Sequence, residues 1–286
     1  MDRRFQPFPT IIAAGATVLG DVKHIRVDRM SALEELLEEL SQLQEGVLEL
    51  QLDCEGIDLG KNGRVTDLEL NFPTKNTTYL LDIVTLGQAA FDATSATGVS
   101  IRSILEDPRI PMGIFDCRND SSGLFANHGI RMQNVVDLQI LFLAASGPRS
   151  RQREFLPPLH EAINMIPITN GERRAWHERR KKGKLFCLAG GDGGQWHRFL
   201  DRPLHPVLEA YAAGDTHYMG HLALFLLSRP CMASEVLQDL VVRTSRARIA
   251  DSLSPEYDPG DREHARTSVE FHQLDEALWD LPVLDG

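Results

Sequence analysis

Two carboxylates one residue apart, Asp53 and Glu55, close an apolar run, Val47-Leu48-Glu49-Leu50-Gln51-Leu52. Residues i and i+2 of a strand point to the same face. Side by side, the pair would repel unless one acid kept a proton or a divalent cation lay between them. Hard oxygen donors of this kind suit Mg²⁺ or Mn²⁺. A solvated strand end has the same appearance, and Asp-x-Glu is a short motif in an acidic chain. Tyr211 and Asp215 form a second pair, spaced i, i+4 in a long helical region and so sharing a helix face. A carboxylate on a helix that otherwise packs on a core needs a partner or a cation; the alternative is a polar edge dipping into water. A third cluster, Phe115-Asp116-Cys117-Arg118-Asn119-Asp120, follows the apolar stretch Met112 to Phe115. Read alone, Asp120 is an N-cap of the next helix.

The elements that would hold these residues follow from periodicity. An extended segment over 10–30 leads into a helix in which Leu33, Leu36, Leu37, Leu40 and Leu43 recur at helical spacing behind a Ser31/Glu34 capping box. Three strands in a meander are predicted over Val47–Asp53, Val65–Phe72 and Tyr79–Val84, with a turn at Lys61-Asn62-Gly63. Strand and helix then alternate: a helix at Ile101–Leu105, a strand at Met112–Phe115, a helix at Asp120–His128 and an apolar, buried stretch at Val135–Ala145. Residues 152–184 read as polar and helical, and His205–Leu227 as a long helix. The order implies an α/β fold with a mixed β-sheet flanked by α-helices. Its parts are an N-terminal extension and helix (1–44), a central domain (45–228) and a C-terminal helix with a loosely attached tail from about residue 250 (229–286).

Of the 286 residues 42% are hydrophobic and 25% charged, which describes an ordinary globular protein. No run approaches the ~20 apolar residues of a membrane span, and Met1 to Pro9 has no apolar signal core. The four cysteines, Cys54, Cys117, Cys187 and Cys231, lie far apart with no metal-ligand spacing. An intracellular setting, cytoplasmic or nuclear, is the expectation. The net charge of −11 argues against a basic coat for duplex DNA. Locally the sign reverses: Arg173, Arg174, Arg179, Arg180, Lys181, Lys182 and Lys184 surround Trp176 and His177. Such a helix suits a single-stranded backbone and its bases, or is simply a solvated face. Gly190-Gly191-Asp192-Gly193-Gly194 lacks the Gly-Lys-Ser/Thr of a phosphate loop. His217 and His221 share a helix face without a zinc-protease glutamate.

In their order along the chain the three acidic motifs resemble those of the four-acid 3′–5′ exonuclease superfamily, DnaQ-like proteins with an RNase H-like fold. The final Tyr211/Asp215 pair matches the subclass whose last motif carries tyrosine (DEDDy), and the layout is similar to RNase D, Werner-type and fungal or other eukaryotic 3′–5′ exonuclease domain-containing proteins. Leu81-Asp82-Ile83, Val136-Asp137-Leu138-Gln139 and Arg202-Pro203-Leu204 also fit that layout, and the resemblance covers roughly residues 45–228. It implies two divalent ions, Mg²⁺ or Mn²⁺, about 3.5–4 Å apart. They would be held by Asp53 as the bridge with Glu55, Asp120 and Asp215, while Tyr211 orients the attacking water. The implied partner is the 3′ end of single-stranded RNA or DNA, without a membrane. Asp137 is expected to be structural. One position departs from the pattern: Ser122, followed by Gly123, stands where the family's middle motif often has a second acid. A catalytically inactive RNA-binding adaptor of the same fold is the alternative. A glycoside hydrolase would also pair two acids, but leaves Tyr211/Asp215 and the 7% aromatic content unexplained.

Overall fold

The computed structural model describes residues 8–10, 23–146, 153–188 and 196–267. Its centre is a six-stranded mixed sheet in the order β1-β4-β3-β2-β5-β6. The strands are β1 (Lys23–Val27), β2 (Leu50–Ile57), β3 (Arg64–Phe72), β4 (Thr77–Asp82), β5 (Met112–Ile114) and β6 (Val135–Asp137). β2, β3 and β4 form the antiparallel meander, while β1 joins β4 in parallel, and β5 and β6 extend the sheet in parallel beyond β2. β1 therefore belongs to the same sheet although it lies in the N-terminal 1–44.

The helices are α1 (Met30–Leu40), α2 (Ile83–Leu86), α3 (Ala89–Asp92), α4 (Ile101–Leu105), α5 (Arg118–His128), α6 (Leu138–Ala145), α7 (Leu159–Met165), α8 (Asn170–Leu188), α9 (Pro206–Leu227) and α10 (Glu235–Ser252). One apolar cluster packs α1, α4 and the start of the α5 region on the face carrying Leu50, Leu52, Leu68, Leu70 and Leu81. A second joins α6, α7 and α10 with Trp176 of α8 and Tyr218, Met219 and Leu222 of α9. α/β layering with helices on both faces of a mixed sheet is thus realised.

Local differences from the sequence reading have physical causes. β2 runs on to Ile57 because it stays paired with β3 as far as Arg64, so Asp53 and Glu55 lie within the strand and not at its end. The third strand stops at Asp82, whose carboxylate caps α2 by accepting from the Thr85 N–H at 2.8 Å. No Ser31/Glu34 capping box forms, since α1 already begins at Met30 and Arg29 is the N-cap. In place of one helical stretch over 152–184, the described residues form two helices, α7 and α8, separated around Pro167. Val135–Ala145 splits into β6 and α6, with Asp137 as the cap between them.

The chain does not loosen at residue 250. Tyr257 is buried, and its hydroxyl donates to Asn119 Oδ1 at 2.6 Å, while Lys61 Nζ donates to the Pro255 carbonyl at 2.6 Å. Apolar packing of the tyrosine ring holds this segment down despite its polar composition. The expected tail beyond Thr267 and the loop at Gly190–Gly194 lie outside the described residues.

Candidate active site

Alternation along β2, β3 and β4 sends every second side chain to the face opposite the first apolar cluster. The register sets Gln51 opposite Asn71, Asp53 opposite Glu69 and Glu55 opposite Asp67, with Thr78, Leu80 and Asp82 next along β4. Such a row usually faces water. Here α9 lies across it, with Ala212 and Ala213 packed on Leu80 and Gly220 close against Pro73 and Gln51. Gln51, Asp67, Glu69, Asn71 and Asp82 are all buried as a result.

The acids singled out from sequence approach this row from three directions. Asp53 and Glu55 come from β2 and are half-buried. Asp120 sits inside the first turn of α5, and its Oδ1 accepts the Cys54 backbone N–H at 2.8 Å. It is therefore not the N-cap, a position that Cys117 occupies without a side-chain bond. Asp215 reaches in from α9, one turn after Tyr211. Burial, then the charges of Asp120, Glu55 and Asp215, push the Asp53 carboxyl well above its usual range. Glu55 moves the same way, through burial first and then Asp215, Asp67 and Asp120. Burial lifts Asp120 to about 7. Asp215 rises only to about 6, because Arg180, Lys184 and Arg179 oppose the effect of burial. The mutual influence puts all four carboxylates in one electrostatic neighbourhood.

Glu69 is a fifth acid there, and sequence reasoning passed over it. It is 0% exposed, and neither carboxylate oxygen has a hydrogen-bond partner. Burial and the charges of Glu55, Asp53, Asp67 and Asp120 raise it far above the glutamate range. The only available signal was the alternation Asp67, Glu69, Asn71 in β3, which looks like a wet face.

Asp137 turns its carboxylate to the chain around the β5–α5 turn. It accepts from the backbone N–H groups of Asp116 (3.1 Å), Cys117 (3.3 Å) and Gln139 (2.9 Å) and from Arg248 Nη1 (2.6 Å). Its own backbone N–H donates to Ser245 Oγ at 3.0 Å. Asp137 thus fixes the turn that presents Asp120. Ser122 is buried with its hydroxyl unpartnered, and Gly123 packs on Val65, where a Cβ would stand 3.0 Å from Cγ2. Gly56 is required by the bulge after Glu55: a Cβ there would lie 2.1 Å from the Arg64 carbonyl oxygen.

A cleft of about 270 Å³ reaches Glu55 of this group and is lined by Cys54, Glu55, Gly56, Asp58, Leu59, Trp196 and Tyr211. Tyr211 is nearly buried, and burial with the adjacent carboxylates Glu55 and Asp215 keeps its phenol protonated far into the alkaline range. Trp196 supplies the aromatic wall and stacks on Phe199 with ring centroids 6.1 Å apart. Trp176, the aromatic of the basic run, is instead fully buried and donates from Nε1 to the Gly214 carbonyl at 3.0 Å.

A divalent ion needs hard oxygen donors carrying more negative charge than their surroundings neutralise, and this donor set fits. Asp215 Oδ1 is buried and without a partner, as are both oxygens of Glu69. In the arrangement seen, no three His, Cys, Asp or Glu side chains among the described residues already converge as a metal cage. Two carboxylates are engaged elsewhere: Asp120 with the Cys54 N–H, and Asp215 with Arg180, whose Nη1 lies 3.6 Å from Oδ2. No described helix is long and apolar enough to cross a membrane.

Comparison with known proteins shows the family and the fold. The sequence profile of the 3′–5′ exonuclease domain matches residues 25–229. The chain is 30% identical over 208 residues to the piRNA biogenesis protein EXD1 of Mus musculus and 35% identical over 208 residues to that of Homo sapiens. These matches take in 72% and 71% of the chain, but it spans only 34% and 37% of the relatives' length. Among solved structures, Trypanosoma brucei RNase D in complex with RNA superposes with a TM-score of 0.67 at 18% identity, over 90% of this chain and 80% of that one. Escherichia coli RNase D, described as an exoribonuclease involved in structured RNA processing, gives a TM-score of 0.51 at 18% identity, over 84% and 56%. The fold is that of the RNase D group, and the chain belongs to the 3′–5′ exonuclease domain family.

Proposed function

We propose that the protein is a metal-dependent exonuclease that shortens single-stranded RNA or DNA from the 3′ end. The observation that carries this reading is the group of mutually repelling carboxylates, Asp53, Glu55, Glu69, Asp120 and Asp215, beside a cleft that Glu55 and Tyr211 line. Asp53, Glu55, Asp120 and Asp215 would hold two Mg²⁺ or Mn²⁺ ions. When bound, such ions make water a nucleophile near neutral pH and stabilise the leaving 3′ oxygen. The protein's own part is positional. Tyr211, kept protonated, is suited to hydrogen-bond and orient a water and unsuited to act as a base. Trp196 offers a face on which the terminal base can stack, worth roughly 1–3 kcal/mol per base. RNA is the first substrate to try, since RNase D of the same fold was solved with RNA and the EXD1 relatives are named for piRNA biogenesis. Action inside the cell, in cytoplasm or nucleus, fits such a substrate.

The test is degradation of 5′-labelled single-stranded RNA and DNA with Mn²⁺, Mg²⁺ or EDTA, beside Asp53→Asn. A ladder shortening from the 3′ end, abolished by EDTA and by the substitution, is expected. A second reading, an RNA-binding adaptor without turnover, is favoured by Ser122 and Gly123 standing where the family's middle motif often has a second acid. It takes over if the oligonucleotides bind and stay intact.

A further inference from the structure

The basic run of α8 is not uniformly solvated. Arg174, Lys181, Lys182 and Lys184 are exposed, but the opposite side of the helix packs on α9. Gly183 lies so close to Tyr211 that a Cβ would fall 2.5 Å from the ring, and Trp176 is bonded to Gly214. Between these contacts, one turn before Gly183, Arg180 enters the acidic centre. Its side chain is 18% exposed and faces Asp215, itself 6% exposed. The guanidinium rests over Trp176, 5.0 Å from the ring centroid, so its position is fixed from behind.

The contact with Asp215 is incomplete. At 3.6 Å it is an ion pair without a hydrogen bond, and Arg180 Nη1 is buried with no hydrogen-bond partner. A guanidinium donor left unbonded in such a place is costly. An anionic oxygen brought in beside Asp215 would complete it, and a phosphate offers the fork geometry that arginine matches best. The positive charge also stands where it competes with any cation approaching Asp215.

We propose that Arg180 is a phosphate-binding residue that doubles as the counter-ion of Asp215. Without metal it neutralises the carboxylate. With metal and an oligonucleotide bound, it releases Asp215 and donates to a non-bridging oxygen of the terminal phosphodiester. The inference rests on the exonuclease reading of the same site.

Two binding measurements test it, and they are expected to move in opposite directions. Mn²⁺ affinity is read by calorimetry. RNA affinity is read by fluorescence anisotropy in Mn²⁺, on an oligonucleotide carrying a phosphorothioate at its 3′-terminal linkage. Arg180→Gln should bind Mn²⁺ roughly threefold or more tightly, since a competing charge is gone. It should bind the oligonucleotide roughly tenfold or more weakly, with a shallower salt dependence. Arg180→Lys should keep the wild-type Mn²⁺ affinity and lose only part of the RNA affinity, which separates lost recognition from a damaged fold. Arg262→Gln makes the same charge change at an exposed position outside the basic run and should alter RNA binding by no more than about twofold. If Arg180→Gln leaves RNA affinity unchanged, or weakens Mn²⁺ binding while Arg180→Lys does the same, the inference is overturned and the exonuclease reading stands. If the wild-type protein binds neither Mn²⁺ nor RNA, both fall.

Discussion

The same sheet face carries two sets of buried acids, and they are neutralised in opposite ways. At one end Asp82 and Asp67 are held by arginines. Arg202 donates from Nε to Asp82 at 2.6 Å and from Nη2 to Asp67 at 3.0 Å, while Arg26 bonds both Asp82 and Glu209. At the other end Asp53, Glu55, Glu69, Asp120 and Asp215 share one buried guanidinium that stands 3.6 Å from a single carboxylate. Burial works against ionisation at Asp82, yet bonds from Thr85 and Arg202 outweigh it and hold that carboxyl below its usual range. Asp67 is pushed up to about 6 by burial, moderated by Arg202, and stays largely ionised at neutral pH. Both sets are carboxylates gathered about the sheet face that α9 covers. The density of counter-charge separates an ion network from the proposed cation site.

Breaking the neutralised end should have the largest effect. Arg202→Gln leaves Asp67 without its charged partner and Asp82 with Arg26 alone, and should cost about 3–5 kcal/mol, read by urea unfolding. Asp53→Asn, at the other end, should leave the metal-free fold at least as stable while cutting exonuclease rate by about 10²-fold or more. A comparable loss of stability in the two variants would erase the distinction.

The pH dependence sharpens it. Asp120, near 7, and Asp215, near 6, lie above their unfolded values of about 3.9. Above the unfolded values the native state binds more protons than the unfolded chain, so metal-free stability should fall as pH rises from about 4 through about 7, and the raised Asp53, Glu55 and Glu69 act in the same direction. Mn²⁺ must displace the same protons, so its affinity should rise over that interval. Asp82 contributes with the opposite sign, its stabilisation being lost as pH falls below its unfolded value and through its depressed folded one. Thermal melts with EDTA and with Mn²⁺ across this range test both slopes. The smallest expected change is in Glu69→Gln: burial and neighbouring carboxylates favour the protonated acid, so the amide replaces a neutral group and metal-free stability should shift by less than about 1 kcal/mol. A melting temperature raised by several degrees would show that Glu69 carries its charge.

The motif acids were legible because their spacing within single elements reports a shared face: i, i+2 on β2 and i, i+4 on α9. The meander and the long helices were legible from apolar periodicity. What sequence could not give was the cover over the polar row. Asp67, Glu69 and Asn71 alternate with Leu68, Leu70 and Phe72 as they would in a half-wet sheet, and only the seating of α9 buries them. Arg180 is one cation among seven in the run, and nothing local marks it as the one that comes within ion-pair distance of Asp215. Tyr257 was misjudged because its polar neighbours outweighed one ring whose pocket is formed by distant chain.

That ring also sets an order of events in synthesis. Tyr257 bonds Asn119, the residue before Asp120, across 138 positions, and the Pro255 carbonyl ties down Lys61 across 194. Chains emerge N-terminus first, and contacts of such long separation form late. On the ribosome, Asp53 and Glu55 can pair into their sheet long before the turn leading into Asp120 receives its last support. The nascent chain would therefore leave the turn before Asp120 without this support until Pro255 and Tyr257 have emerged, after all six strands of the sheet have been synthesised.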